Sequence, residues 1–402
     1  MKQKTRIEGI EVKHFTSFDG TRIAYQTVGQ GPPIVFANGL GGTYDAWCYL
    51  FNHLKDRYRI ITWDYRGLYT SDRPADVGTM TIKCMVRDMH RLIQTEGVER
   101  PIIAGWSMGV PVIFEYIKSY PQDVRALAGI CGSAGRAFDT ALNWEGSRYL
   151  MPPVFVLLEK MHGLTGVVMN RVLNWDLIYK LIQPVGMVAA EADIEVFREM
   201  VEDYSKLDFE CYFRVMQDLG KHDAWDHLSS IDVPSLIVAA GKDFFTPVHV
   251  SERMHRRIRN SELFVLPKGT HYAPLEFPME LNQRMDAFLE RVERIEPYER
   301  PKPKAKPKSK PKPKPKPKPK AKPKPKPKPK AKPKPKPKTK PKPKAKAKPK
   351  AKKAAKGKAA KSSRATTRLS VKSSKRLGGP APARSKSGRP KPAKKKTLPK
   401  AK

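Results

Sequence analysis

Short, compact apolar runs recur along the first 270 residues. They are Pro33–Ala37, Tyr58–Trp63, Ile102–Ala104, Ala126–Cys131, Leu236–Ala240 and Leu263–Leu266. Their length and their flanking glycines and prolines predict buried strands rather than helices. Ahead of them, Ile10–Gln30 holds two alternating stretches around Phe18-Asp19-Gly20-Thr21, which predicts a hairpin. Between the runs the apolar period lengthens. In 81–93, Ile82, Met85, Met89, Leu92 and Ile93 fall on one helical face, and in 280–292 so do Leu281, Met285, Phe288, Leu289 and Val292. Val112–Tyr120 is also helix-like. Strands alternating with helices predict an α/β class, with a mostly parallel sheet and helices on both faces.

The alternation breaks over about 138–229. This stretch is rich in Met, Leu, Trp and Phe at helical spacing and poor in strand signals. It predicts an inserted helical cap, with additional packing helices as an equal reading of the periodicity. Trp144, Met151, Phe155, Met161, Met169 and Trp175 would then supply an apolar pocket if they face the sheet, although such a stripe also suits plain core.

Charge divides the chain more sharply than hydropathy does. Of its 402 residues, 301–402 carry 44 Lys and Arg and no Asp or Glu, whereas 1–300 carry a net −4 and all 35 aromatic residues. We expect two regions: a folded domain, 1–296, and a disordered polycationic tail, 297–402, which lacks the apolar side chains to offset chain entropy. The first ten residues lack the apolar segment of a secretory signal, and no long apolar run suits a membrane span. Cys48, Cys84, Cys131 and Cys211 are scattered. That argues against a disulfide framework or a zinc site and predicts a cytoplasmic protein with neither metal nor cofactor.

The chemistry concentrates at Gly105-Trp106-Ser107-Met108-Gly109, between the run ending at Ala104 and the helix-like stretch from Val112. A strand that turns sharply into a helix around a serine needs the glycines, and the turn projects the hydroxyl at the carboxyl end of the sheet. A serine nucleophile needs a base, and the base needs an orienting acid. His271, in Lys268–Pro274, follows one predicted strand; Asp243, in Gly241–Pro247, follows another. All three thus lie on loops leaving strand carboxyl ends, which share one edge in such a sheet. Helix capping is the bland alternative for Asp243, and His53, His90 and His255 sit in polar, surface-like patterns. Trp106, Met108 and Cys131 are candidates for lining a substrate pocket, with core packing an equal reading.

With these motifs, residues 1–300 resemble the α/β-hydrolase superfamily, in its esterase- and lipase-like branch. Asn38-Gly39-Leu40-Gly41-Gly42 resembles the superfamily's oxyanion loop, and Trp63–Gly67 with Ser71–Pro74 resembles its Asp-x-Arg-Gly-His-Gly-x-Ser segment. The resemblance implies an α/β-hydrolase fold with a cap after the sixth strand. It implies Ser107 as nucleophile, His271 as base and Asp243 as acid, in the usual chain order, and the backbone N–H groups of Leu40 and Met108 as oxyanion hole. Two departures stand out: Asn38 replaces the common His, and Leu68-Tyr69 replace His-Gly. Asp64 and Arg66 are expected to make structural loop contacts.

The tail repeats Pro-Lys with occasional Ala over 301–350 and resembles linker-histone tails in composition. Lys every second residue on a three-residue polyproline turn leaves no single charged face, so nucleic acid or another polyanion would be held without sequence preference. The function expected is cleavage of a carboxylic ester or related small acyl substrate. The alternatives are a perhydrolase, lactonase, thioesterase or C–C hydrolase of the same fold, or a nucleic-acid-associated protein whose domain is a non-catalytic body.

Overall fold

The structure, a computed structural model, describes residues 7–141, 144–173, 180–184 and 186–299. Two units divide the chain after Lys312, and the described residues lie in the first. Residues 300–402 of the tail, and Trp175, fall outside them.

Eight strands form one sheet: β1 (Glu11–Thr16), β2 (Arg22–Val28), β3 (Pro33–Ala37), β4 (Arg59–Trp63), β5 (Ile102–Trp106), β6 (Ala126–Ile130), β7 (Ser235–Ala240) and β8 (Ser261–Leu266). Their spatial order is β1-β2-β4-β3-β5-β6-β7-β8. β1 and β2 are the predicted hairpin, and β2 runs antiparallel to β4. From β4 to β8 every pairing is parallel, in registers such as Ile34 with Ile102 and Ile237 with Leu263. The carboxyl ends of β3 to β8 therefore share one edge.

The two-residue period of the strands sorts the core into two layers. Val35, Ile61, Trp63 and Ile103 pack on one face, with Met85, Met89 and Leu92 of α2 (Ile82–Thr95) and Ile113 and Ile117 of α3 (Gly109–Ser119). Ile34, Phe36, Ile60 and Ile102 pack on the other, with Leu50 and Phe51 of α1 (Cys48–Leu54). Thr81 caps α2 by accepting from the Cys84 N–H.

Between β6 and β7 the chain leaves the sheet and is helical: α4 (Ser147–Lys160), α5 (His162–Leu173), α6 (Ile194–Tyr204) and α7 (Phe209–Leu219). Asp193 and Asp208 cap the last two. Three more helices close the domain, α8 (Val248–Arg257), the short α9 (Ala273–Glu276) and α10 (Pro278–Ile295). Leu281, Met285 and Phe288 of α10 fill the α1 side, on the face predicted for that segment.

Candidate active site

Ser107 sits between the end of β5 and the start of α3, with a left-handed φ of 54° that a non-glycine residue rarely adopts. The flanking glycines make the turn possible. A Cβ on Gly105 would lie 2.4 Å from the Gly109 carbonyl oxygen, and one on Gly109 would lie 2.1 Å from the Ala37 carbonyl oxygen. The turn is pinned by the Ser107 N–H donating to Ile130 O, at 3.0 Å.

Asp243 follows β7 and His271 follows β8, so the parallel sheet delivers both to the Ser107 edge. His271 Nε2 lies 2.7 Å from Ser107 Oγ, and His271 Nδ1 lies 2.9 Å from Asp243 Oδ2. A carboxylate only accepts, so Nδ1 carries the proton and Nε2 is left to accept from the serine hydroxyl. Asp243 is fixed in turn by the N–H groups of Phe245 and Thr246 (2.8 and 2.9 Å, to Oδ1) and by the Thr246 hydroxyl (2.6 Å, to Oδ2). Burial alone would raise the Asp243 carboxyl, but the charge of His271 and the bonds from His271 and Thr246 outweigh it and hold the group below its ordinary value.

The loop after β3 brings Leu40 beside Ser107 and Met108, on the wall of one cavity. Among the described residues, neither the Leu40 N–H nor the Met108 N–H donates a hydrogen bond within the chain. Both are polar groups left without a protein acceptor next to the serine, and Met108 N–H is at the positive end of α3.

The two sequence departures both bear on this loop. The Asn38 side chain donates to Trp63 O (2.9 Å) and accepts from Trp47 Nε1 (2.9 Å) and the Thr62 hydroxyl (3.2 Å), while Tyr65 donates to the Asn38 carbonyl (2.7 Å). The base of the loop is therefore fully wired with Asn in place of His. Tyr69 keeps a left-handed φ of 53° where the superfamily's glycine would stand, and its hydroxyl donates to the Gly41 carbonyl. Sequence reasoning missed this contact, which joins two loops 28 positions apart.

The cavity, about 170 Å³, is walled mainly by apolar and aromatic side chains, among them Phe138, Met151, Phe155, Tyr212, Met216 and Leu219. Among the described residues, no Lys, Arg, Asp or Glu lines it. Met151 and Phe155 are thus where the cap expectation put them. Trp144 and Met161 are exposed instead, and Met169 packs against the core.

Trp106 and Cys131 do not line the cavity. Both side chains point into the core layer on the α1 side, and Trp106 Nε1 donates to the His271 main-chain carbonyl at 2.9 Å, holding that turn from behind. Burial, with the charges of Asp243 and Glu276, pushes the Cys131 thiol well above its ordinary value. Arg66 is fully buried and grips the equally buried Asp88 through two bonds of 2.6 and 2.7 Å, with Asp19 at 2.7 Å; its role is structural. Asp64 accepts from the Thr70 N–H at 3.2 Å within its own loop.

One more buried group touches the site indirectly. Glu276 of α9 accepts from the Thr270 N–H (2.7 Å), just before His271, and from the Ala189 N–H (2.8 Å), in the helical excursion.

A mostly parallel eight-stranded sheet with these loops at its carboxyl edge is the α/β-hydrolase fold. The model of the family described as the α/β-hydrolase fold matches residues 32–155, and this match and the homologues support the superfamily. Among curated proteins, a 3-oxoadipate enol-lactonase of Acinetobacter baylyi is 24% identical over 269 residues, covering 66% of this chain and 92% of its own. Among solved structures, an esterase from Exiguobacterium antarcticum superposes with a TM-score of 0.58 at 21% identity, over 70% of this chain and all of its own. An enol-lactonase from Burkholderia xenovorans does so with 0.55 at 20%, over 69% and all of its own. At such identities the structural likeness speaks for the fold alone.

Proposed function

We propose that the chain is a serine hydrolase that cleaves a carboxylic ester or related acyl bond in a neutral, apolar substrate. The observation that carries the reading is the relay Asp243–His271–Ser107, which ends at a cavity where two main-chain N–H groups stand without acceptors. His271 takes the Ser107 proton as Oγ attacks the carbonyl carbon, and Asp243 stabilises the imidazolium. The tetrahedral oxyanion is received by the Leu40 and Met108 N–H groups, each worth roughly 3–4 kcal/mol. His271 then returns its proton to the leaving alkoxide. Water, deprotonated by the same imidazole, attacks the acyl-enzyme and releases the acid.

The cavity wall supports an apolar acyl group, because an anionic substrate would be desolvated there without a cationic partner. A lactonase or thioesterase would use the same groups; the relatives and solved structures above are named an esterase and enol-lactonases, while other relatives are named carbamate hydrolases. Residues 301–402 of the tail, with 44 cationic side chains, add non-specific affinity for polyanions by counterion release.

A fluorophosphonate probe tests the reading. It should label Ser107, and Ser107→Ala should abolish both labelling and turnover of an ester panel, with the thermal midpoint nearly unchanged. An unlabelled but folded protein would make the domain a non-catalytic body.

A further inference from the structure

The excursion carries an apolar surface that the mechanism does not use. On α4, Leu150, Pro153 and Leu157 recur at helical spacing on the outside, flanked by Tyr149 and Val156; Tyr149 is 76% exposed. On α5, Leu164, Val167 and Val168 form a second outward stripe, with Val167 68% exposed. Met161, also exposed, joins the two helices, and Trp144 stands exposed just ahead of them. The inner side of α4 is spoken for: Phe155 and Leu158 pack against the core and Met151 lines the cavity. Outward aliphatic side chains on two consecutive helices exceed the scattered singletons of an ordinary surface.

The exposed charged residues on the same helices share one sign. Arg148, Lys160 and Arg171 are exposed. The one acid between residues 147 and 173, Glu159, turns to Arg214 (2.8 Å) and accepts from Gln217 (2.6 Å). Arg148 also lies over the Tyr149 ring. Aliphatic side chains bordered by Trp, Tyr and cationic residues have the composition of a surface that rests at a lipid headgroup boundary.

We propose that α4 and α5 dock peripherally on an anionic lipid surface, with the polycationic tail supplying the electrostatic part of the attachment. Neither rival occupant satisfies both features. Nucleic acid offers phosphates to the tail but nothing that buries aliphatic side chains. A second copy of the chain could cover the stripes, but it brings another +40 charge to the contact. Anionic headgroups over acyl chains answer both, and a shallow apolar insertion joined to a polybasic segment is the two-signal arrangement that holds proteins at membranes. No described helix is long and apolar enough to cross a membrane, so the contact is peripheral. The proposal stands apart from the hydrolytic reading.

The test is flotation of the full chain with vesicles of phosphatidylcholine, or of phosphatidylcholine and phosphatidylglycerol in equal parts, at near-physiological salt. The wild type should float with the mixed vesicles and far less with the neutral ones. The triple variant Leu157→Ser/Leu164→Ser/Val168→Ser should partition at least about tenfold less, while its retardation of duplex DNA stays within about twofold of the wild type. Independently of that variant, brominated acyl chains should quench fluorescence of the wild type on mixed vesicles, and Trp144→Phe should remove most of that quenching. Equal flotation of the triple variant, no preference for the anionic vesicles, or absence of quenching would overturn the proposal. A wild type that ignores vesicles but retards DNA would point to nucleic acid. One that ignores vesicles and sediments as a dimer, made monomeric by the triple variant, would point to a second copy.

Discussion

Replacing Tyr69 by Phe removes one oxygen and tests whether the loop that carries Leu40 is held for catalysis. The hydroxyl donates to the Gly41 carbonyl, next to Leu40. The loop's base stays anchored through Asn38, and the Tyr204 hydroxyl still lies 3.4 Å from the Leu40 carbonyl oxygen. The stability cost is that of one half-buried hydrogen bond, about 1 kcal/mol. For a domain of this size that lowers the thermal midpoint by about 2 °C. The effect on turnover should be larger. Full loss of one oxyanion donor costs about 10²–10³ in kcat, and partial displacement of Leu40 should cost about ten- to a hundredfold. Because the donor acts on charge that develops only in the transition state, KM should change little. The assay is steady-state hydrolysis of the best ester from the panel, beside a thermal melt. A lower midpoint with kcat unchanged would refute the argument, leaving Tyr69 a structural residue only.

Two other perturbations separate structure from chemistry. Arg66→Ala leaves Asp88 as an unpaired charge among fully buried groups and should cost about 3–5 kcal/mol in chemical denaturation, while the folded fraction keeps its kcat/KM; lost activity at full stability would give Arg66 a direct role. Asp243 has its carboxyl below the ordinary value, so the folded state binds that proton less tightly than the unfolded chain. Its stabilisation is therefore present above the unfolded value near 3.9 and lost as pH falls through the lower folded value. The midpoint difference between wild type and Asp243→Asn should accordingly narrow as pH drops below about 4; a constant difference would contradict the sign of the shift.

The sheet was legible in the sequence wherever a strand is buried on both faces. Pro33–Ala37 and Ala126–Ile130 are fully buried, so nothing but apolar residues is tolerated and the run announces itself. The meeting of residues 107, 243 and 271 was foreseeable because parallel strands bring their following loops to one edge. The pocket was less so. Met151 and Phe155 share α4 with Tyr149 and Leu157, and composition alone does not say which side of an all-round apolar helix faces inward. Trp106 and Cys131 were candidates because they adjoin strand ends near the serine, but the strand period sends Trp106 to the opposite layer. The Tyr69 contact left no local signal, since a hydroxyl reaching a distant carbonyl creates no periodicity.

Glu276 ties the turn before His271 to the helical excursion. Its two oxygens hold Ala189 on one side and Thr270 on the other. Under the proposed function, a substrate too bulky for the cavity would press on the excursion, and displacing Ala189 would unload the carboxylate that accepts from the Thr270 N–H. Under the proposed mechanism, admission of a large guest and alignment of His271 would be mechanically linked, and selection by size would act on the rate of proton transfer as well as on occupancy.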